Sequence, residues 1–335
     1  MVKRHPHIMK DLDYTRRDLL RLGSGLAAMA ALGGLPACEQ GQPLRVAIQP
    51  WAGYQFIALA REEGWLASAG LQLVDTSDNA MSLAALIQGQ VDAAALTLDG
   101  ALNLLEQGIK VIVVMVFDVS AGADAVLAKP EIKTLAELKG KRVGVENSSL
   151  GAIMLAKVLE FSDLSKADLT VIQMGSDHAK SWDNDKLDAI ITYEPTLTQL
   201  LARGAMRLFD SRSLPQAIFD VLVVRTEAAE RHSHALRKLI AGHFRGLKLW
   251  HNNPIDTTYR LSKLLGVKPD EVRGVLKGLD IPDAIYNQRY LVAPADELVH
   301  ATQFMMQIMV HEQMLKHPLN FEGLFVPDYL METAE

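Results

Sequence analysis

The sequence predicts an α/β fold of two lobes joined by two hinge-crossing strands and completed by a helical C-terminal region. Three observations carry this reading. From residue 44 to about residue 201, apolar runs of strand character alternate with segments of helical spacing, the pattern of βα units. Two Asp-led apolar segments, Asp124-Ala125-Val126-Leu127-Ala128 and Asp220-Val221-Leu222-Val223-Val224, flank a middle α/β unit of about 95 residues, as a chain that leaves one lobe and returns to it requires. Beyond residue 225 strand character stops and helical spacing takes over. A single large α/β domain is the alternative arrangement.

The elements follow in order. Residues 44–48 are an apolar strand, and 54–66 carry apolar residues at helical spacing (Phe56, Ile57, Leu59, Ala60) up to Gly64-Trp65. Strands are expected at 71–76 and 93–97, helices at 80–88 and 100–107, and a long β-branched strand at 109–117. The second set begins with a short helix at 135–138, a strand at 142–145 and a helix at 150–161. Segments 169–173, 187–192 and 196–201 continue it, and 222–224 is a further strand. Helices are then expected at 227–251, 255–265, 270–277 and 295–316, with Met305, Met306, Met309 and Met314 as a core stripe. The lobes so delimited are 44–123 with 225–335, and 124–224.

The N-terminus reads as an address. Thr15-Arg16-Arg17-Asp18-Leu19-Leu20-Arg21 precedes a Gly- and Ala-rich apolar run, and Leu35-Pro36-Ala37-Cys38 follows it. A basic start, a short apolar core and small residues before a cut site make a secretory signal. The run from Leu22 to Leu35 contains four glycines and falls short of the roughly 20 apolar residues of a membrane span. The paired arginines resemble a twin-arginine export signal, and Leu-Pro-Ala-Cys resembles a lipobox, which implies lipid on Cys38. The expected organisation is an export signal over 1–37, a tether over 38–43, and a periplasmic protein anchored to a membrane at Cys38.

The whole chain of 335 residues carries a net charge of −6. Residues 1–37 hold six basic and three acidic side chains, so the remainder stands at −9. An acidic chain lacks the electrostatic footprint of a nucleic-acid binder. Cys38 is the one cysteine; once lipidated it leaves no thiol for disulfides, thiolate catalysis or Cys-rich metal sites. His311-Glu312-Gln313-Met314-Leu315 begins like a zinc-protease motif, but Leu315 stands where the second His is needed. His232 and His234, two apart on an expected helix, face different directions. No metal, cofactor or catalytic residue is expected.

Several stretches together resemble the periplasmic solute-binding proteins of ABC importers. The nearest branch includes taurine, aliphatic-sulfonate, nitrate and thiamine-pyrimidine binders. The stretches are Pro50-Trp51-Ala52-Gly53-Tyr54, Ala60-Arg61-Glu62-Glu63-Gly64-Trp65-Leu66, Gly89-Gln90-Val91-Asp92-Ala93, Asp118–Ala125, Leu138–Val145 and Thr192-Tyr193-Glu194-Pro195. Their order covers about residues 44–225, and Asn147-Ser148-Ser149 departs from the pattern of a Gly before Ser or Thr. The resemblance implies a two-lobed periplasmic-binding-protein fold of type II. It also implies a monomer that hands a small-molecule ligand to a membrane permease driven by a separate ATPase. Two other roles fit the same fold: presenting a ligand to a membrane signalling receptor, and thiamine-pyrimidine biosynthesis. The latter branch is cytosolic and uses a Cys-rich motif, so this chain is expected not to be an enzyme.

In open α/β sheets ligands sit beyond the carboxyl ends of the strands, near helix N-termini. Five loops qualify. The first holds Gln49, Trp51 and Tyr54, whose rings suit an alkyl chain, a ring or a cationic head. The second holds Thr97 and Asp99, the latter a helix cap or a ligand contact. The third holds Asp118 and Ser120, with Asp124 beyond them fixing the hinge. The fourth holds Ser148, Ser149 and Leu150 at a helix start, where free N–H groups and hydroxyls suit a polar oxygen. The fifth holds Tyr193 and Glu194. These loops contain Asp99, Asp118 and Glu194 but no Lys or Arg. A bare anion such as nitrate would require a basic partner, so the expected ligand is amine-bearing or zwitterionic: an amino-sulfonate or an amino-substituted pyrimidine.

Overall fold

The computed structural model describes residues 41–330 other than 185, 215 and 294. The expected export signal, Cys38 and residues 39–40 of the expected tether lie outside the described residues. Residues 43–335 form one compact unit, and no helix among the described residues is long and apolar enough to cross a membrane.

That unit contains two mixed sheets of like order. In the first, β1 (Leu44–Ile48) lies between β2 (Leu71–Asp75) and β3 (Ala93–Thr97), parallel to both. Its sequence Leu-Arg-Val-Ala-Ile is apolar because both faces are covered: only Arg45 is not buried. Next to β3 comes β10 (Phe219–Arg225), antiparallel, then β4 (Val111–Ser120) and the short β11 (Leu279–Asp280). The second sheet places β6 (Arg142–Glu146) between β7 (Thr170–Met174) and β8 (Ala189–Tyr193), followed by antiparallel β5 (Asp124–Ala128) and by β9 (Met206–Asp210). The two Asp-led segments are therefore sheet strands, each inserted antiparallel beside the third parallel strand of its sheet. β10 pairs with β3 and β4, so residues 219–225 belong to the first sheet.

The crossings are stitched together. Ser120 and Ser211 share a hydroxyl–hydroxyl hydrogen bond of 2.7 Å, and the Gly122 N–H donates to Ser211 Oγ at 2.7 Å. Two bonds at one point restrict where the chain can bend.

Helices cover the sheets: α1 (Gln55–Glu62), α2 (Asn79–Ile87) and α3 (Leu98–Glu106) in the first βα set, and α4 (Ser149–Ser162), α5 (His178–Asn184) and α6 (Thr196–Ala202) in the second. The C-terminal region adds α7 (Thr226–Arg231), α8 (Ser233–Asn252), α9 (Pro254–Leu265), α10 (Pro269–Lys277), α11 (Ala284–Leu291) and α12 (Asp296–His311). These pack into the first core, where Leu261, Val272, Leu298, Met305 and Met309 are buried. α8 lies close against α1 because Gly246 has no side chain: a Cβ there would stand 2.8 Å from the Phe56 carbonyl oxygen.

Two expectations are corrected. The helix expected at 227–251 breaks at His232, and the last one ends at His311, where a turn follows, rather than at 316. β9, α5 and α11 had no sequence signal. β9 is a short edge strand with an exposed first residue, and α5 reads His-Ala-Lys-Ser-Trp-Asp-Asn, with no apolar period.

Candidate functional site

The carboxyl ends of β1, β2, β3, β6, β7 and β8 and the first residues of β5 and β10 converge on one cavity of about 280 Å³. Parallel strands deliver their C-termini to the same edge of a sheet, and antiparallel β5 and β10 bring their N-termini there. Loops from both sheets therefore meet at this edge.

From the first sheet, Gln49 and Trp51 follow β1, Asp78 and Asn79 follow β2, and Thr97 ends β3. Trp51 presents its ring edge-on to Tyr193 of the second sheet, with centroids 5.9 Å apart. Its indole N–H donates inward to Asp118 Oδ2 at 3.1 Å. Asp78 caps α2 by accepting from the Met81 N–H at 2.8 Å and also accepts from Ser176 Oγ at 3.0 Å. Burial opposes its ionisation, but donors from Ser77, Met81 and Ser176 outweigh burial and hold its pKa below the usual carboxylate value. A second bond between the two sets of elements, from Asn103 Nδ2 to Ser149 Oγ at 2.9 Å, lies close by.

From the second sheet come Asp124, Glu146, Ser148, Leu150, Ser176, Tyr193, Pro195 and Thr196. Asp124 is 3% exposed, and its Oδ2 has no hydrogen-bond partner among the described residues. Burial pushes its pKa to about 6 despite a Ser120 hydroxyl contact. Glu146, held by burial and by repulsion from Asp78, reaches about 7. His178 lies beneath, with Nδ1 3.0 Å from Thr192 Oγ1 and Nε2 3.8 Å from Glu146 Oε2. Burial depresses its pKa to about 4, so its ring is neutral at ordinary pH and supplies no cation.

Asp220, from the start of β10, completes the lining. It sits in register with Asp118, and the two buried carboxyls repel each other. Burial raises both pKa values; the charge of Asp220 raises Asp118 further, and repulsion from Asp124 and Asp99 raises Asp220, so the pair holds a proton at neutral pH. Tyr54 donates its hydroxyl to Asp220 Oδ1, and the proton the pair holds joins Asp220 to Asp118 through a carboxyl–carboxyl hydrogen bond. Gly53 makes room for this pair: a Cβ there would overlap Asp118 Oδ2 at 1.7 Å.

Of the residues singled out from sequence, Trp51, Ser148, Leu150 and Tyr193 line the cavity. Tyr54 and Asp118 are fully buried beneath it, holding Asp220 and Trp51. Ser120 is at the crossing. Glu194 is buried and accepts from the Thr198 N–H and hydroxyl, anchoring the first turn of α6. Asp99 and Ser149 face a neighbouring chamber. Sequence reasoning missed Asp78, Asn79, Glu146, Ser176 and Asp220, and read Asp124 as a hinge residue. The strand-end rule reaches most of these once it is applied to β2 and β7 as well. Asp220 escapes it, being at the N-terminus of an antiparallel strand.

Comparison with known proteins bears on this arrangement. A family profile described as NMT1/THI5 like matches residues 51–257. A Brucella abortus protein named as a binding protein is 28% identical over 233 residues, covering 64% of this chain and 70% of that one. The periplasmic aliphatic sulphonate binding protein SsuA from Escherichia coli is similar in fold, with a TM-score of 0.70 at 17% identity over 88% of this chain and 95% of that one. The alkanesulfonate-binding SsuA from Xanthomonas axonopodis pv. citri, bound to MOPS, has a TM-score of 0.68 at 19% identity, covering 83% and 96%. The desulfurization enzyme DszB shares the fold as well, at a TM-score of 0.62 and 16% identity over 87% and 98%.

Proposed function

Because the chain belongs to the NMT1/THI5-like family, we propose that it is an exported solute-binding receptor of an ABC importer. Its ligand in this reading is a small amine-bearing organic molecule held between two lobes. The lobes follow the two sheets, with 121–123 and 211–218 as the hinge, and closure is a hinge rotation. The N-terminal signal directs export, lipid on Cys38 keeps the receptor beside its permease, and the receptor works as a monomer.

One observation carries the choice of ligand. Among the described residues the cavity is lined by Asp78, Asp124, Glu146 and Asp220 and by no Lys or Arg. Asp124 keeps a buried oxygen without a donor among the described residues. A buried acceptor left unpaired costs about 1–3 kcal/mol, and an ammonium or amino-substituted ring would supply the missing donor. Trp51 and Tyr193 offer apolar faces for the rest of the molecule. A sulfonate or nitrate would find no positive side chain in the lining.

Thermal denaturation of the purified protein with a panel of small molecules tests this. Primary amines and amino-pyrimidines raise the melting temperature, since a ligand at 100 times its Kd stabilises the folded state by about 2.7 kcal/mol. Alkanesulfonates and nitrate leave it unchanged. A shift with the anions alone would reject the cation-binding reading.

A further inference from the structure

Beyond Ser148 the cleft continues into a second chamber of about 450 Å³, between α2 and α3 on one side and β6 and α4 on the other. It shares Asn79, Glu146 and Ser148 with the first cavity. Its walls are apolar over Leu83, Ile87 and Leu155, and Asp99 lines it too. Asp99 is 2% exposed. Hydroxyls of Thr97 and Ser149 hydrogen-bond to its carboxyl, yet Oδ1 has no partner among the described residues. Lys166 and Glu312 also line this chamber, and Lys166 is exposed to solvent. Glu146 stands between the two spaces and feels repulsion from Asp124 in the first and Asp99 in the second.

The arrangement alternates in character: a carboxyl at one end, an apolar wall, a carboxyl at the other. We propose that the ligand is a linear bis-cation, an α,ω-diamine or oligoamine. One ammonium group sits against Asp124 and Glu146, and the other reaches past Asn79 and Ser148 to Asp99. The methylene chain lies over Leu83, Ile87 and Leu155, where its burial is favourable. The second ammonium supplies the donor that Asp99 Oδ1 lacks. A zwitterion would instead bring its anionic end to a buried carboxyl, with only an exposed, solvated Lys166 as countercharge. This inference rests on the first cavity accepting an amine.

Calorimetric titration of the full chain tests it with three series of increasing methylene count: n-alkylamines, α,ω-diamines and ω-amino acids. Above a threshold length, diamines bind about tenfold or more tightly than monoamines of equal length. In Asp99→Asn the ratio of diamine to monoamine affinity falls towards one, circular dichroism confirming that the variant is folded. Equal affinity of monoamines and diamines at every length overturns the bis-cation while leaving the first cavity an amine site. So does tightest binding by the ω-amino acids. Failure of every amine to bind overturns this inference together with the reading on which it rests. The length series uses the unmodified protein and stands whether or not the variant folds.

Discussion

Asp124→Asn weakens binding of an amine ligand by about 30-fold or more, because truncating one partner of a buried charge pair costs about 2–5 kcal/mol. The substitution keeps the side chain's shape but replaces a charge and an acceptor with a neutral amide, whose own N–H groups would face the ligand's. Asp124 is nearly inaccessible and has one oxygen without a partner among the described residues. The ligand-free protein responds in the opposite sense. Burial raises the Asp124 pKa to about 6, so keeping the group ionised at neutral pH costs folding free energy on the order of 1–3 kcal/mol. Asp124→Asn relieves that cost and raises the melting temperature of the unliganded protein. Titration calorimetry and thermal denaturation read the two effects; an affinity within about threefold of the parent would remove Asp124 from the binding site.

Affinity for the amine rises with pH between about pH 6 and about pH 8, by up to about tenfold per pH unit for each proton released. Asp124, at about 6, and Glu146, at about 7, are partly protonated at the lower end of this range. A cation binds the ionised forms, so those protons must leave. An alkylammonium keeps its own proton throughout, and His178, depressed to about 4 by burial, does not change charge here. The stability of the unliganded protein moves the other way. These carboxyls have folded pKa values above their unfolded ones, so the native state binds more protons. Their favourable contribution is complete below the unfolded value near pH 4 and is lost as pH rises through the folded value. His178 and His243 act oppositely, both neutral when folded because burial lowers them to about 4 and about 3. They charge only on unfolding, and so lower stability below about pH 6.5. Above that pH, rising affinity accompanied by falling apo stability is the signature of Glu146 and the Asp118–Asp220 pair. Titrations in buffers of different ionisation heat count the protons; no release, or affinity falling with pH, contradicts the assignment.

The parts of the fold legible in the sequence were those with strong local periodicity. β1, β3 and β4 are buried on both faces and read as apolar runs. β5 and β10 stood out because Asp124 and Asp220 punctuate such runs at corresponding places. β9 and α5 were silent because one is an exposed edge and the other a polar helix held by tertiary contacts. The site was half legible for a related reason. Trp51, Ser148 and Tyr193 sit where a strand turns into a helix, a position readable along the chain. The pairing of Asp118 with Asp220 depends on antiparallel register between strands about a hundred residues apart. The meeting of Asp78 with Ser176 depends on how the two sets of elements face each other. Neither relation leaves a local trace. The absence of basic residues from the loops, by contrast, was visible in sequence and holds for the cavity lining among the described residues.

Native mass spectrometry of the protein purified from its own cells, with the bound molecule released and fragmented, tests the cation-binding cavity most directly. The account predicts a small organic molecule bearing at least one basic nitrogen. A sulfonate, nitrate or other anion without an amine would contradict it.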